Sequence, residues 1–525
     1  MFSYICYDTN LYIFFYLTET FFKKNKTKTT YSLFLRFINL NLDYLKRKFL
    51  TNLILLIFLN LLVKPFWIFG IDRTIQNTIG TEQYGFYFSL FNFSLILNIL
   101  LDVGITNFNN RNISQNNQLA TKHFSNIIIL KVLLSIIYFI ISLIAAYFIG
   151  YDWSQIQLLI FLLFNQFLLS FILYLRSNIS ALQYFTIDSL VSVLDRVLMI
   201  IIIGVLLWGN ITDKPFQIEW FVYGQTAAYL LTAFIVFIIV LSKLEFKRLH
   251  FDWTFFVVFI KQSYPYALLI LLMTFYYRID SVMIERLLPD GKIQAGIYAQ
   301  SFRILDAISM FAFLFASLLL PMFSRMIKQK QSVNELIQLA LMLILTPAII
   351  IAVSSYFFKT DIISLLYHDT PYASSVVFSI LMFSFIFISI SYIYGTLLTA
   401  NGSMKALNIM AAGGMIINIT LNFILIPVYK APGAAAASLI TQILTAMAQV
   451  VIAKKIFHFN INLSKVILFA VFTIVTAFVS YWIYNNISDK TGAYFILIIS
   501  TMILAMFLKL IDIQKLILIL KNNEE

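Results

Sequence analysis

The sequence predicts an all-α, polytopic membrane protein with about fourteen transmembrane helices. These fall into two pseudo-symmetric six-helix bundles plus two C-terminal helices. Three observations lead there. Hydrophobic residues make up 61% of the 525 residues and charged residues only 12%, whereas soluble domains carry about 25% charge. So little polar surface cannot coat a water-exposed globule, which excludes a soluble enzyme, a disordered scaffold and a disulfide-stapled secreted domain. Uncharged runs near the length of a bilayer-crossing helix recur along the chain. None alternates with period two, so a β-barrel is excluded.

In chain order, residues 1–48 have only a short apolar stretch, 11–17, with basic residues after it rather than before it. That is not the pattern of a secretory signal. The expectation is a cytoplasmic N-terminal segment, either surface-amphipathic or an over-extended start. The first span, about 49–72, carries Lys64 beside Pro65, whose ring should kink the helix. The second, about 84–108, carries Asp102. Runs 132–151 and 153–175 are uncharged; 186–207 carries Asp188, Asp195 and Arg196; 220–242 closes a first bundle over 49–242. The second bundle, 260–456, holds spans at about 260–285 and 295–320, then 336–358, one helix within 370–404, 406–429 and 431–453. Runs 466–488 and 491–508 form the extra pair within 463–525. Trp67, Trp153, Trp208, Trp220, Trp253 and Trp482 all fall near segment ends, where interfacial anchors are expected.

The net charge of +13 is unevenly placed. Most Lys and Arg, among them Lys23, Lys24, Arg47, Lys247, Arg248, Arg325, Lys328, Lys454 and Lys455, fall in connections on one side of the membrane. Few, such as Arg73, Arg286, Lys292 and Lys430, fall on the other. The positive-inside rule then puts both termini in the cytoplasm. The basic excess therefore reads as topology and contact with anionic membrane lipids, not as nucleic-acid binding. Cys6 is alone, and His123, His250, His368 and His458 lack metal-ligand spacing. No phosphate-binding Gly-Lys loop occurs, and no connection is long enough for a catalytic domain. No enzymatic activity, cofactor or metal is implied.

Residues 70–111 and 278–325 resemble each other. Each places Ile-Asp at a helix end (Asp72, Asp280), then a short loop, a Gly, an aromatic-rich helix carrying an Asp, and a terminal basic residue. Halves with even helix counts share one orientation, as in parallel-repeat transporters. Charges within spans concentrate in helices 1, 2, 5, 7 and 8. Such charges cost a few kcal/mol each and usually face a cavity or a partner. Lys64, Arg278 and Arg303 are candidate anion-binding cations, with Arg73 near the outer mouth; Asp102, Asp280 and Asp306 are candidate cavity acids. Structural alternatives stand beside these readings. Lys131 and Lys509 are expected to snorkel from helix ends. Asp195 and Arg196 are expected to pair with other helices. Arg303 and Asp306, three apart, can pair locally. Tyr276, Tyr277 and Tyr298 could stack on sugar rings.

The stretch 399–442 carries a small-residue turn (Asn401, Gly402, Lys405), Gly413-Gly414, Asn418-x-x-x-Asn422, Leu425-Ile426-Pro427 and a Gly433–Ala437 helix start. Together with Glu82-Gln83-Tyr84-Gly85 and Leu101-Asp102-x-Gly104, it resembles polysaccharide flippases of the multidrug/oligosaccharidyl-lipid/polysaccharide exporter superfamily. The resemblance spans nearly the whole chain beyond residue 48, which itself departs from the family's usual start. It implies two bundles around a central cavity and transport of a polyprenyl-pyrophosphate-linked oligosaccharide from inner to outer leaflet by alternating access. A coupling ion, H+ or Na+, and polysaccharide polymerase or export proteins are the implied partners. Alternatives are a lipid II flippase or, less in keeping with a basic cavity, a drug/cation antiporter. A membrane glycosyltransferase would need a large outer loop, and a passive scaffold would not need buried cations.

Overall fold

The computed structural model describes residues 55, 58–60, 62–106, 109–110, 113, 119–209, 213–244, 253–459 and 463–510. The expected N-terminal segment 1–48 and the tail beyond 510 lie outside the described residues. Among the described residues every regular element is a helix. The spans are α1, described from Leu55 to Asp72; α2, Arg73–Ile96; α3, Leu119–Ile149; α4, Trp153–Ala181; α5, Phe185–Trp208; and α6, Ile218–Lys243. They continue as α7, Trp253–Leu287; α8, Gly291–Lys328; α9, Asn334–Phe357; and, after a short helix Lys359–Leu366, α10, Pro371–Ala400. The element Met404–Phe457 supplies α11 and α12, followed by α13, Leu463–Asn486, and α14, Lys490–Phe507.

Eleven described helices are long and apolar enough to cross a membrane. One of them, the 54-residue element Met404–Phe457, would be far longer than a ~30 Å apolar layer if straight. It reverses at Lys430 (φ 56°, ψ −136°), between Pro427 and Pro432. The reversal is tight: a Cβ on Gly433 would meet the Leu425 carbonyl. Gly414 faces the Thr445 methyl, and Gln449 reaches Met410, the register of an antiparallel hairpin. Each surface is dressed as lipid requires. Phe148, Trp153, Phe234, Phe478 and Phe507 project outward, while Ser, Thr, Asn and Gln fill the interior and bond to helix carbonyls. Trp67 departs from the expected interfacial pattern, since it is buried.

Two irregularities set up the interior. After Pro65, where a kink is expected, α1 widens into a π-helical turn, Phe66–Asp72. The wider turn brings Asp72 inward and buries it. The second span ends at Ile96 rather than near 108: a 3₁₀ turn, Asn98–Leu101, follows, then left-handed Val103 and Gly104. Lys131 holds this unwound end. It does not snorkel but is fully buried, bonding to Asp102 Oδ1 at 2.6 Å, the Leu101 carbonyl at 3.0 Å and Ser170 Oγ at 2.8 Å.

The two bundles meet where α2 crosses α8, at Gly85 and Gly296. At the end expected to face outward, further bonds join them. Arg73 donates to the carbonyls of Leu366 and Leu365, at 2.7 and 3.2 Å. Asn77 donates to Leu366 O at 3.0 Å and accepts from His368 N at 3.2 Å. The helix of α2 is interrupted at Gly80 (φ 82°), and Asp369 accepts from the freed Thr81 N–H at 3.1 Å.

Candidate functional site

The repeat-related helices α1, α2, α7 and α8 build the site. Asp72 accepts from Tyr84 Oη at 2.8 and 2.9 Å and from Gln76 Nε2 at 3.1 Å. Arg303 on α8 crosses the bundle interface to join them: its Nε lies 3.4 Å from Asp72 Oδ2 and donates to Tyr84 Oη at 2.9 Å. The guanidinium rests over Phe88 and Phe91, 5.2 Å from each ring centre. One turn along α8, Asp306 binds Arg278 through both oxygens, at 3.0 and 3.3 Å, and accepts from Tyr277 Oη at 3.3 Å. Arg278 also donates to Asn92 Oδ1 of α2 at 3.2 Å. The expected local Arg303–Asp306 pair is thus replaced by two pairs on different partners. Both arginines and Asp306 stay partly accessible.

Asp280 is set apart from these cations. It is buried and accepts from Tyr298 Oη at 2.7 Å, Asn422 Nδ2 at 2.7 Å and Asn418 Nδ2 at 3.2 Å. The two asparagines, four residues apart on α11, thus bond across to α7. The Oδ1 of Asn422 has no hydrogen-bond partner. Among the described residues no cluster of three His, Cys, Asp or Glu could hold a metal ion.

The other candidates are scattered. Arg73 gives its donors to backbone carbonyls in the connection before α10, and Asp102 is paired with Lys131. Lys64 lies half-buried on α1. Tyr276 and Tyr298 are buried and Tyr277 lies under Arg278, so none of the three presents a free face to a sugar. Asp195 and Arg196 approach each other at 3.7 Å, and Arg196 also meets other helices, through the Trp67 ring on α1 and the Tyr229 hydroxyl on α6. Outside the spans, a Lys430 hydrogen bond at 2.8 Å holds the Asp290 carboxyl below the usual carboxylate range, and burial pushes the Tyr367 phenol up. Sequence reasoning left Asp72 out of the site, although its repeat position matches that of Asp280. It also missed Asn92, a neutral residue, and gave Tyr84 no role in the site although Tyr84 stands in the Glu82–Gly85 motif.

The sequence pattern of a family described as "polysaccharide biosynthesis protein" matches residues 49–327, more than half of the chain and all of the cationic site. The chain belongs to this polysaccharide biosynthesis protein family. A second pattern, MatE, matches residues 265–424 of this family member. No curated protein sequence matches it. Solved structures share its fold. A lipid II flippase, MurJ, in an inward closed conformation has a TM-score of 0.67 at 18% identity, covering 88% of this chain and 100% of that one. The Vibrio cholerae MATE transporter VcmN in its bent form gives 0.54 at 14% identity over 79% and 97%. An inward-facing multidrug resistance MATE family transporter of the MOP superfamily gives 0.55 at 15% identity over 76% and 94%. At these identities the likeness is one of fold: a multi-pass membrane protein of this architecture.

Proposed function

We propose that this polysaccharide biosynthesis protein is a flippase. It would carry a polyprenyl-diphosphate-linked oligosaccharide from the cytoplasmic to the outer leaflet of a bacterial inner membrane by rocking its two bundles. The observation that carries the reading is the pair of arginines, Arg303 and Arg278, at the bundle interface, each held by a carboxylate and a neighbour on α2. A diphosphate needs cations in a shielded, partly accessible place, where charge attraction exceeds that in water. The carboxylates keep these cations tolerable in the membrane when no anion is present. Because Arg303 and Asp72 belong to different bundles, an anion that displaces Asp72 also loosens the interface. Substrate binding and rocking are thereby linked.

The ion-coupling role fits Asp280 better than Asp102 or Asp306, which are engaged by Lys131 and Arg278. Both asparagine amides turn their NH2 groups to Asp280 here. Turned over, their carbonyl oxygens and the carboxylate would face a small cation together. Both termini would be cytoplasmic, as the charge bias requires.

The test is flipping of a fluorescent lipid-linked oligosaccharide in proteoliposomes. Arg278→Gln and Arg303→Gln should each lower the rate at least tenfold with protein level and monodispersity unchanged. Wild-type rates in both variants would remove the assignment. The fold shared with a lipid II flippase favours a second reading, transport of a peptidoglycan precursor. Depletion separates the two: lysis supports the second, loss of surface polysaccharide with continued growth the first.

A further inference from the structure

The charge on α5 remains unexplained by the arginine site. α1 and α5 run in the same direction and are tied by Asn60 Nδ2 donating to Ser192 Oγ at 3.0 Å. Lys64 is four residues beyond Asn60, and Arg196 four beyond Ser192. On parallel helices, four residues is about one turn, so both cations stand one turn above the tie on adjoining faces. The Arg196 guanidinium lies over the Trp67 ring, 5.5 Å from its centre, and Trp67 is itself stacked on Phe221. Trp67 is on α1, three residues past Lys64.

Neither cation is satisfied as the others are. Lys64 makes no hydrogen bond or ion pair among the described residues; its charged neighbours are Arg196, Asp195 and Arg176. Arg196 has a 3.4 Å contact with Met199 Sδ, a 3.7 Å approach to Asp195 and the Tyr229 hydroxyl beside it. Arg176 is engaged by Asp188 at 2.9 Å. By contrast Lys131, Arg278 and Arg303 each hold a carboxylate. Five guanidinium donors and an ammonium in a membrane interior, with one loosely placed carboxylate, call for an acceptor.

We propose that Lys64 and Arg196, backed by Trp67, form a second anion-binding cradle, within the N-terminal bundle, that takes a diphosphate before Arg278 and Arg303 do. Two cations match the two charges of a diphosphate diester; a phospholipid phosphodiester carries one. At the bundle interface an anion must first displace Asp72 or Asp306 from a close pair, whereas here the one carboxylate, Asp195, stands 3.7 Å from Arg196. The cradle is therefore the docking position, and the arginine pair engages as the bundles move. This rests on the flippase reading for its place in the cycle, not for the binding itself.

The test uses the full chain in phosphatidylcholine nanodiscs, with Trp153, Trp208, Trp220, Trp253 and Trp482 changed to Phe so that Trp67 reports alone. Farnesyl diphosphate and inorganic pyrophosphate should each change its emission saturably. Lys64→Gln and Arg196→Gln should each weaken binding about tenfold or more, Arg196→Lys less. Arg278→Gln should keep the emission response while losing flipping. Binding unaltered in Lys64→Gln and Arg196→Gln overturns the proposal. So does a response to phosphatidylglycerol that diphosphate cannot compete away, which would make this a phospholipid headgroup site. Should Arg196→Gln not be monodisperse, Lys64→Gln and Arg196→Lys decide. A chain that binds diphosphate in this way but flips no lipid-linked glycan sinks the flippase reading alone. A chain that flips normally with both cradle variants sinks the cradle alone.

Discussion

Gly85 of α2 and Gly296 of α8 cross with no room for a side chain between them. A Cβ on Gly85 would lie 3.0 Å from the Gly296 Cα and would overlap the Lys292 carbonyl; one on Gly296 would overlap the Thr81 carbonyl. The obstacles are backbone, which cannot turn aside as a side chain can. The two bundles therefore touch at a point where only glycine fits, on the helices that carry Tyr84 and Arg303.

Gly85→Ala and Gly296→Ala should each push α2 and α8 apart. The expected loss is about 2 kcal/mol or more, read as a lower melting temperature in detergent, together with a lower flipping rate. Wild-type melting in either variant would show that the crossing relaxes without strain.

The Asp72–Arg303 pair should behave as a coupled unit. Asp72→Asn leaves a half-buried arginine without its charge partner, and removing one member of a buried pair destabilises by about 3–5 kcal/mol, the upper end of what is expected here. The double variant Asp72→Asn with Arg303→Gln should cost less than the two singles together. A double-mutant cycle on melting reads the difference; strict additivity would mean that the 3.4 Å approach contributes nothing.

Lys131→Met should lower stability by a similar amount, about 3–5 kcal/mol, because Asp102 and the Leu101 carbonyl lose their donor. Its effect on flipping should follow the amount of folded protein. The KM for the lipid-linked sugar in the folded fraction should stay at the wild-type value. A raised KM with normal stability would place Lys131 in contact with substrate instead.

The connection 366–370 should be released by Asp369→Ala or Arg73→Ala. Hydrogen exchange at residues 366–370 and at Thr81 should speed up at least tenfold in either variant, while exchange in α3 and α4 stays unchanged. Equal protection in variant and wild type would show that these bonds do not hold this end of the two bundles together.

Asp290 and Lys430 give a pH dependence with a defined sign. The folded carboxyl titrates below its unfolded value of about 3.9, so the pair's contribution is complete above that value and disappears as pH falls through the folded one. The pair is substantially exposed (33% and 53%), which holds its contribution to about 1 kcal/mol or less and makes it salt-sensitive. Asp290→Asn should lower melting slightly at pH 7 in low salt, and not at all in high salt.

The spans and the α11–α12 hairpin were legible because each follows from local pattern: runs without charge, and Lys430 between two such runs with Pro427 before it and Gly433 after it. The Asn418 and Asn422 pair was legible for the same reason. Which cation meets which acid was not. Arg303 is three residues from Asp306, yet it reaches Asp72, more than two hundred residues away, since the α2–α8 crossing brings Tyr84 and Asp72 closer to it. Trp67 reads as an interfacial anchor from its place at a segment end, but the π-helical turn after Pro65 rotates it inward. Lys131 reads as a snorkelling residue until the unwinding of α2, set by Val103 and Gly104, places a carbonyl and a carboxylate around it.

The burial of Lys131 also bears on how the chain is made. A lysine near the middle of a spanning helix raises the cost of insertion by about 2.5–3.5 kcal/mol. Its partner Asp102 lies 29 residues earlier and so leaves the ribosome first. When α3 arrives at the translocon, the carboxylate that neutralises Lys131 is already in the membrane. Helices α2 and α3 thus suit insertion as one hairpin with its charge cancelled, and the order of synthesis supplies the pairing that a helix inserted alone would lack.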